Sequence, residues 1–172
     1  MKKKKLYGWA FVATMMGIIS CTNDAENLLS QQSEIKLTSE IEPSRVTSLN
    51  FQSTQIVEGQ QIGVTIQGAK SEHNNIAWTA GANGVLTNTG SAIYYGSGDA
   101  IITAYHPYNS SWDETVQEFS VSTDQSTDAE YLASDLLWAT ATSSKTETAV
   151  PLVFKHKLAK INVTLTSEAL QT

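Results

Sequence analysis

The chain has 172 residues, and its 11 Lys plus Arg against 17 Asp plus Glu give a net charge of −6. Nucleic-acid binding depends on clustered Lys and Arg that contact phosphates, and peripheral binding to anionic lipid depends on basic patches. The acidic balance argues against both kinds of partner. The chain contains a single Cys, which excludes disulfide bonds within it.

The first twenty residues have the pattern of a secretory signal peptide. Lys2 to Lys5 form a basic region, and an apolar core of 14 residues follows from Leu6 to Ile19. This core is shorter than the roughly 20 apolar residues that a spanning helix needs. Residues 18–21, IISC, resemble the lipobox of bacterial lipoproteins, which predicts that residues 1–20 are removed and Cys21 is lipidated. The alternative is an ordinary signal peptide followed by an incidental Cys.

Removal of residues 1–20 would take away four Lys and no acidic residue, leaving 7 Lys plus Arg against 17 Asp plus Glu, a net charge of −10. Acyl chains on Cys21 would then attach the protein to a membrane, because each buried methylene contributes about 0.8 kcal/mol. Residues 21–33 are polar and lack strand periodicity, so we predict a flexible tether. Residues 34–172 are long enough for one hydrophobic core and are expected to form one domain.

Short apolar runs between turn-forming residues predict an all-β sandwich of about seven to eight strands in this domain. Ile62, Val64 and Ile66 alternate with smaller or polar residues, which is typical of a half-buried strand. Residues 100–104 are apolar in both phases, which suits a central strand. The best helical candidate, Glu130 to Thr140, is short. The predicted strands are residues 35–41, 46–51, 62–66, 76–79, 91–95, 100–105, 115–121 and 150–166.

The densest apolar run of the mature chain is Val150 to Thr166. Its apolar residues fall on even positions as far as Leu158 and on odd positions from Ala159, with no turn-forming residue between them. This change of phase predicts a bulge or sharp bend that places one half of the strand in each of two sheets. Phe154 and Ile161 should then both be buried. His156 shares the even phase, so we expect a hydrogen-bonded histidine at the edge of the core.

The sequence lacks the constellations that carry catalysis. It has no zinc-ligand spacing, no nucleophile elbow, no phosphate-binding loop and no pair of carboxylates set apart as acid and base, so we predict neither an enzyme nor a cofactor. Residues 124–135 resemble a calcium loop, but Ala129 replaces the glycine of that loop and Asp135 replaces its final Glu. A solvated loop without a metal is therefore the favoured interpretation.

Two further features leave alternatives open. Arg45, the only arginine, lies beside Pro43 and Ser44, where it is either a solvated loop charge or a cleavage site for a trypsin-like protease. Exposed aromatic side chains can stack on sugars, although at least half of those in a sandwich of this size should simply belong to the core. The aromatic candidates for such a glycan site are Trp78, Tyr94, Tyr95, Tyr105, Tyr108 and Trp112.

Three motifs occur in order along the domain: ITAYHPY at 102–108, DQS at 124–126 with YLASDLLWA at 131–139, and VPLVFKHKLAKI at 150–161. Together with the lipobox they resemble the fimbrillin-like (Mfa-like) family of Bacteroidetes surface lipoproteins, over most of residues 1–166. His106 departs from the aromatic residue that is common at its position. The residues that carry the family motifs are Tyr105, Pro107, Tyr108, Asp124, Asp135, Phe154, His156, Leu158 and Lys160.

This resemblance implies a lipoprotein at the outer membrane, exposed on the cell surface, with a transthyretin-like β-sandwich and no catalytic activity. Fimbrillin-like subunits assemble after a protease removes an N-terminal segment with its first strand, and a donor strand from another subunit fills the resulting groove. By this likeness the partners are other fimbrial subunits, and Arg45 is the candidate cleavage site.

Members of the family usually continue beyond the strand that ends near Leu165 into a second sandwich, whereas this chain stops at Thr172. The resemblance therefore leaves open a fragment of a longer protein or a member that holds only the N-terminal domain. The competing hypothesis for function is a surface lipoprotein that binds glycan or another ligand through aromatics near residues 94–112.

Overall fold

The computed structural model describes residues 33–43, 54–112 and 118–159. These residues all fall within one structural unit, residues 32–172. None of the helices in these ranges is long and apolar enough to cross a membrane. The predicted signal peptide, most of the tether and the predicted strand at 46–51 lie outside the described residues.

The described chain is folded almost entirely as β-strands. One short helix, α1 (Asp128–Ala133), and a 3-10 turn at Ala82–Gly84 complete the regular structure. The strands, in chain order, are β1 (Leu37–Ile41), β2 (Gln61–Gln67), β3 (His73–Ala80), β4 (Val85–Asn88), β5 (Ala100–His106), β6 (Leu137–Ser143) and β7 (Val150–His156).

The seven strands form a closed barrel in the order β1-β4-β3-β2-β5-β6-β7. Five of them, β4-β3-β2-β5-β6, make a continuous antiparallel sheet, and β5 pairs with β6 over seven residues. The other two, β1 and β7, run parallel to each other over five residue pairs. All-β architecture with seven strands is confirmed, but the sheet is not an open two-layer sandwich. β1 and β7 each also pair with an edge of the five-stranded sheet, which joins the two layers at both sides.

The core fills the inside of the barrel with alternating residues from every strand. In β7 the inward side chains of Val150, Leu152 and Phe154 are buried, whereas Val153 between them is 43% exposed. β5 has the same alternation, with Ala100, Ile102 and Ala104 buried. The prediction of a central strand at 100–104 agrees with the pairing of β5 on both sides, although Ile101 is 48% exposed.

Residues 130–140 change from helix to strand in the structure. Thr127 caps the short helix α1 by accepting a hydrogen bond from the Glu130 amide, and the Ser134 hydroxyl donates to the Glu130 carbonyl at its end. The chain then becomes extended, and β6 starts at Leu137. The best helical candidate of the sequence, Glu130 to Thr140, is therefore helical only as far as Ala133. Strand β4 was also missed, because a run of only four residues gives little periodicity.

Two predicted strands differ from the structure. Within 91–95, only Tyr94 and Tyr95 form isolated bridges, to Glu34 and Ala69 respectively. In the predicted strand 115–121, residues 113–117 lie outside the described residues, and 118–121 form no strand. Val121, in the described part of this predicted strand, is 49% exposed.

The prediction for residues 150–166 is correct for its first half. The strand ends at His156, a bend follows at Leu158, and Leu158 is 43% exposed. Leu158 was predicted to continue the inward even phase, and this is wrong because the strand has ended before it. Ile161, predicted to be buried, lies outside the described residues.

Candidate functional site

The N-terminal part of the described chain, residues 33–42, closes the barrel and is called the closing segment below. It contributes the side chains of Ile35, Leu37, Ser39 and Ile41 to the interior, and each is at least 95% buried. Three of these four are large and aliphatic, and full burial of such a side chain stabilises a fold by about 1.5–3 kcal/mol. The segment is therefore part of the core even though it stands at one end of the described chain.

Backbone hydrogen bonds attach the closing segment mainly to β7. The Val150 amide donates to the Lys36 carbonyl at 2.8 Å, and the Glu42 amide donates to the Phe154 carbonyl at 2.9 Å, at opposite ends of the parallel ladder. A further bond joins the Ile35 amide to the Ile93 carbonyl at 2.8 Å. The attachment is thus strongest on the side of β7.

On its other side the closing segment meets β4 in only two residue pairs, Leu37 with Leu86 and Thr38 with Val85. We call this contact the β1–β4 seam. The buried Ser39 hydroxyl adds a hydrogen bond of 3.3 Å to the Gly84 carbonyl. Gly84 has a φ of +73°, and a Cβ on it would lie 2.6 Å from the Ser39 carbonyl oxygen, so the close approach of the two chains requires glycine here.

The second narrow contact in the barrel lies between β6 and β7, where Leu137 pairs with His156 and Trp138 with Lys155. We call it the β6–β7 seam. Leu137 also pairs with His106 at the end of β5. Residues from all three sequence motifs therefore meet at one end of strands β5, β6 and β7. This contact could not be seen from the sequence, because the motifs are far apart along the chain.

Polar side chains reinforce the β6–β7 seam. The His156 Nδ1 donates to the Asp135 carboxylate at 2.7 Å, while its Nε2 is buried without a hydrogen-bond partner in the described chain. The completely buried His106 donates from Nδ1 to the Asp135 backbone carbonyl at 3.2 Å, and its Nε2 lies 3.4 Å from Oε1 of Gln60. Burial lowers the pKa of His106, which therefore stays neutral at pH 7.

Tyr105 anchors a second cluster on the outside of the barrel. Its ring stacks on Trp112 with centroids 4.1 Å apart, and on Trp138 at 6.4 Å. Its single hydroxyl hydrogen has two acceptors within reach, the Asn75 side-chain oxygen at 2.7 Å and the Asn109 carbonyl at 2.9 Å. Burial raises the pKa of Tyr105. These contacts fix the loop after β5 against the barrel.

The tyrosine and tryptophan rings of this cluster are largely engaged with each other. Tyr105 is 4% exposed and its face is covered by Trp112, and Tyr95 is also buried. A sugar needs an open ring face, which the buried Trp78, Tyr95 and Tyr105 do not offer, whereas Tyr94, Tyr108 and Trp112 are half-buried. Sequence analysis did not identify Asn75 as a partner of Tyr105. Its φ of 46° marks an unusual backbone conformation, which only the structure shows.

The other predicted motif residues occupy separate places. Pro107 follows His106 through a cis peptide bond, and Tyr108 donates its amide to the Gln61 carbonyl at 3.0 Å. Asp124 accepts a hydrogen bond of 2.9 Å from the Ser126 amide, and contacts with Ser126 lower its pKa. Phe154 is in the core. Cys21, Arg45 and Lys160 lie outside the described residues.

The calcium-like residues do not converge in the described part of the chain. Asp128 and Glu130 lie in the first turn of α1, and Asp135 faces His156 beyond its end. In ranges 33–43, 54–112 and 118–159, no group of three or more His, Cys, Asp or Glu side chains is arranged to hold a metal ion.

Solved structures similar to this chain come from Bacteroides. A candidate cell adhesion protein of Bacteroides uniformis matches with 22% identity and a TM-score of 0.50, over 72% of this chain and 47% of its own. A candidate cell adhesion protein of Bacteroides ovatus matches with 22% identity and a TM-score of 0.51, over 73% and 53%. A fimbrial protein of Bacteroides ovatus has 22% identity and a TM-score of 0.48, over 73% and 28%.

The chain thus spans about half the length, or less, of the structures it matches. A comparison with curated proteins gave no match. At this identity the two structures with TM-scores of at least 0.50 support the fold and nothing more. These two structures therefore assign the chain to the all-β proteins that share its fold.

The family follows from the sequence itself. The profile of the Fimbrillin-like family matches residues 44–172, which is 129 of the 172 residues. The chain belongs to the Fimbrillin-like family. The family match begins after β1, so the closing segment precedes it.

Proposed function

We propose that this protein is a surface-anchored fimbrial subunit with a structural or adhesive role, and that it assembles by exchange of its closing segment for a strand of another subunit. Family membership supports the fimbrial role. The observation that carries the exchange step is the closing segment, which fills the core yet meets β4 in only two residue pairs.

Removal of the closing segment would leave a strong template for strand addition. The free edge of β7 would present the backbone groups that now pair with five residues of β1. Beside it, the apolar side chains of Val150, Leu152 and Phe154 would lose their cover. An unpaired edge above an exposed apolar face binds an extended segment with alternating apolar residues. The buried Ile35, Leu37 and Ile41 of the closing segment already have that pattern.

Arg45 is the proposed cleavage site. It follows the closing segment by three residues, after Pro43 and Ser44, and the described chain resumes at Thr54. Cleavage there would separate residues 1–45, including β1, from the remaining six strands. The proposed lipid on Cys21 would lie on the released side, so cutting would also detach the barrel from its own anchor.

Cleavage with an arginine-specific protease tests the exchange, because Arg45 is the only arginine. The full-length chain is cut and incubated with a fluorescent peptide of sequence 33–43, or with the same residues in scrambled order. We expect the cut chain to bind the ordered peptide and release its own N-terminal fragment. Mixed with a longer fimbrial subunit, the cut chain should form complexes that resist SDS.

The Arg45→Lys variant is the matched control, since it keeps the positive charge but resists this protease. It should bind neither peptide. If the cut wild-type chain keeps its fragment at every peptide concentration, or binds both peptides equally, strand exchange is wrong. The lipid anchor is tested separately: mass spectrometry of the native N-terminus should show an acylated Cys21, and a free thiol would contradict it.

A further inference from the structure

The inward face of the closing segment carries a buried polar side chain in an otherwise aliphatic series. Ser39 is 1% exposed and lies between Leu37 and Ile41, which are also buried. A buried hydroxyl destabilises a fold unless it makes a hydrogen bond, and an aliphatic side chain at the same position would have no such requirement. Ser39 therefore restricts where the closing segment can lie.

The acceptor for the Ser39 hydroxyl is a backbone group in the barrel wall, the Gly84 carbonyl, at 3.3 Å. The two chains are very close at this point. A Cβ on Gly84 would lie 2.6 Å from the Ser39 carbonyl oxygen and 3.0 Å from the Gln55 side chain. The φ of Gly84 is +73°, so the position of its carbonyl depends on a backbone conformation that favours glycine. The acceptor is thus fixed at one place along the β1–β4 seam.

Alternation alone does not define how the closing segment is aligned with β7. Because side chains alternate between the two faces of a strand, a shift of two residues leaves every inward side chain inside. In the structure Ser39 lies opposite Leu152 in the parallel ladder. A two-residue shift would place Ser39 opposite Val150 or Phe154, about 6.5 Å from its present position. Its hydroxyl would then be buried without the Gly84 acceptor.

We propose that Ser39 sets the register of the strand in the closing position. A strand from another subunit should then present the same inward series, with aliphatic residues at the first, second and fourth positions and a serine at the third. The statement about another subunit rests on the proposed strand exchange, whereas the role of Ser39 concerns this chain alone. Single buried polar residues set register in coiled coils by the same physical means.

Peptides of sequence 33–43 test the required series on the full-length chain cut at Arg45. An inward swap combines Leu37→Ser with Ser39→Leu, and it keeps composition, charge and alternation. We expect it to bind at least about fivefold more weakly than the native peptide, because its hydroxyl is buried without an acceptor. Glu40→Ser adds a serine on the exposed outward face and should bind within about twofold of the native peptide.

Disulfide trapping measures the register directly, in the uncut full-length chain that carries Cys21→Ser. Glu40 lies opposite Val153 in the parallel ladder, and both are exposed. Neighbouring strands are spaced closely enough for a disulfide between such positions. Cysteines that replace Glu40 and Val153 should therefore form one. A cysteine that replaces Pro151 or Lys155, two residues to either side, should react poorly with the cysteine at position 40.

Loss of the hydroxyl should let the closing segment shift along β7. Ser39→Ala keeps a small buried side chain and removes the hydrogen bond. In a glutathione buffer, the disulfide yield at position 151 or 155 should rise at least about twofold relative to the yield at position 153. Ser143→Ala is the matched control, because it removes an equally buried hydroxyl from β6, and it should leave this ratio unchanged.

Two results would overturn the proposal. One is equal binding of the native peptide and the inward swap, and the other is an unchanged disulfide ratio in Ser39→Ala, with circular dichroism to establish that the variant folds. If the cut chain does not bind even the native peptide, the proposed exchange is wrong, and so is the statement about another subunit. The disulfides in the uncut chain then still decide whether Ser39 sets the register.

Discussion

The barrel has two narrow seams that are equal in length and different in construction. The β1–β4 seam and the β6–β7 seam each consist of two residue pairs. At the β6–β7 seam, side chains from three motifs add hydrogen bonds through Asp135, His106 and His156. Among the described residues, a single side-chain hydrogen bond crosses the β1–β4 seam, from Ser39 to the Gly84 carbonyl. Beside this seam the barrel wall opens into a pocket of about 480 Å³.

This difference between the two seams is what the proposed strand exchange would use. The paired strand residues are two at each seam, and one further backbone bond, from the Lys157 amide to the Leu136 carbonyl at 2.8 Å, continues the β6–β7 side. Side-chain bonds fix β7 to the five-stranded sheet, so under the proposed exchange β7 would remain as the template after β1 leaves. The closing segment is retained by its backbone ladder with β7 and by apolar burial, and a strand with the same alternation could supply both.

The largest expected effect tests the β1–β4 seam. Leu37→Ala removes a fully buried side chain next to the seam and should lower the free energy of unfolding by about 2–5 kcal/mol. If the closing segment opens separately, hydrogen exchange should accelerate more at the amides of β1 than at those of β5. Val85→Ala, at a 47% exposed position of the same seam, should cost less than about 0.5 kcal/mol. Equal acceleration in β1 and β5 would contradict separate opening.

The next effect measures the reinforcement of the β6–β7 seam. A double-mutant cycle of Asp135→Ala and His156→Ala isolates their pairwise coupling, and other interactions of Asp135 cancel. Hydrogen bonds to charged groups contribute about 1.5–3 kcal/mol, and we expect a coupling in that range from chemical denaturation. The exposed ion pair of Lys155 and Glu42, at 3.3 Å, is the matched control and should couple by about 1 kcal/mol or less. Similar values for both pairs would remove the distinction between the seams.

A third prediction concerns the continuous sheet that both seams border. Gly63 lies opposite Tyr105, and a Cβ on it would lie 2.1 Å from the tyrosine ring. The ring cannot easily move, because Trp112 and two hydrogen bonds hold it. Gly63→Ala should therefore lower the free energy of unfolding by about 1–3 kcal/mol. Gly98→Ala, where a Cβ meets nothing within 4 Å, should be nearly neutral, and a neutral Gly63→Ala would show that the cluster is loose.

Sequence periodicity predicted the strands that alternate cleanly, and it failed where the alternation is short or ambiguous. Ile62, Val64 and Ile66 identified β2, and Val150, Leu152 and Phe154 identified β7. The residues of β6 were not identified as a strand, because alanines and threonines give weak alternation. Their extended conformation depends on pairing with β5, which is a property of the whole fold.

The candidate site was predicted in part. The motif residues Asp135 and His156 were identified, but their contact across 21 positions of sequence follows from the register of β6 and β7. The alternation of Ile35, Leu37 and Ile41 predicted a first strand, whereas its parallel pairing with β7 could not be derived from local pattern. Likewise, a pocket lies beside the β1–β4 seam because β4 is short and residues 93–95 return to pair with residues 33–35. No local sequence pattern predicts this tertiary arrangement.

The smallest expected effect is a pH dependence of the free energy of unfolding that comes from His106 at the β6–β7 seam. The pKa of His106 is lowered in the folded state by burial, so the unfolded state binds more protons once the pH falls below about 6.5. The stability that neutral His106 contributes is therefore complete above pH 6.5 and is lost as the pH falls toward its folded pKa. One such group changes the free energy of unfolding by at most about 1.4 kcal/mol per pH unit.

Denaturant titrations of wild type and His106→Gln between pH 7.5 and pH 5 measure this contribution, with both pH values chosen to bracket about 6.5. We expect a shallower pH dependence in His106→Gln, because glutamine can still donate to the Asp135 carbonyl but does not titrate. An unchanged slope in His106→Gln would mean that the pKa of His106 is the same in the folded and unfolded states, which would contradict the effect of burial.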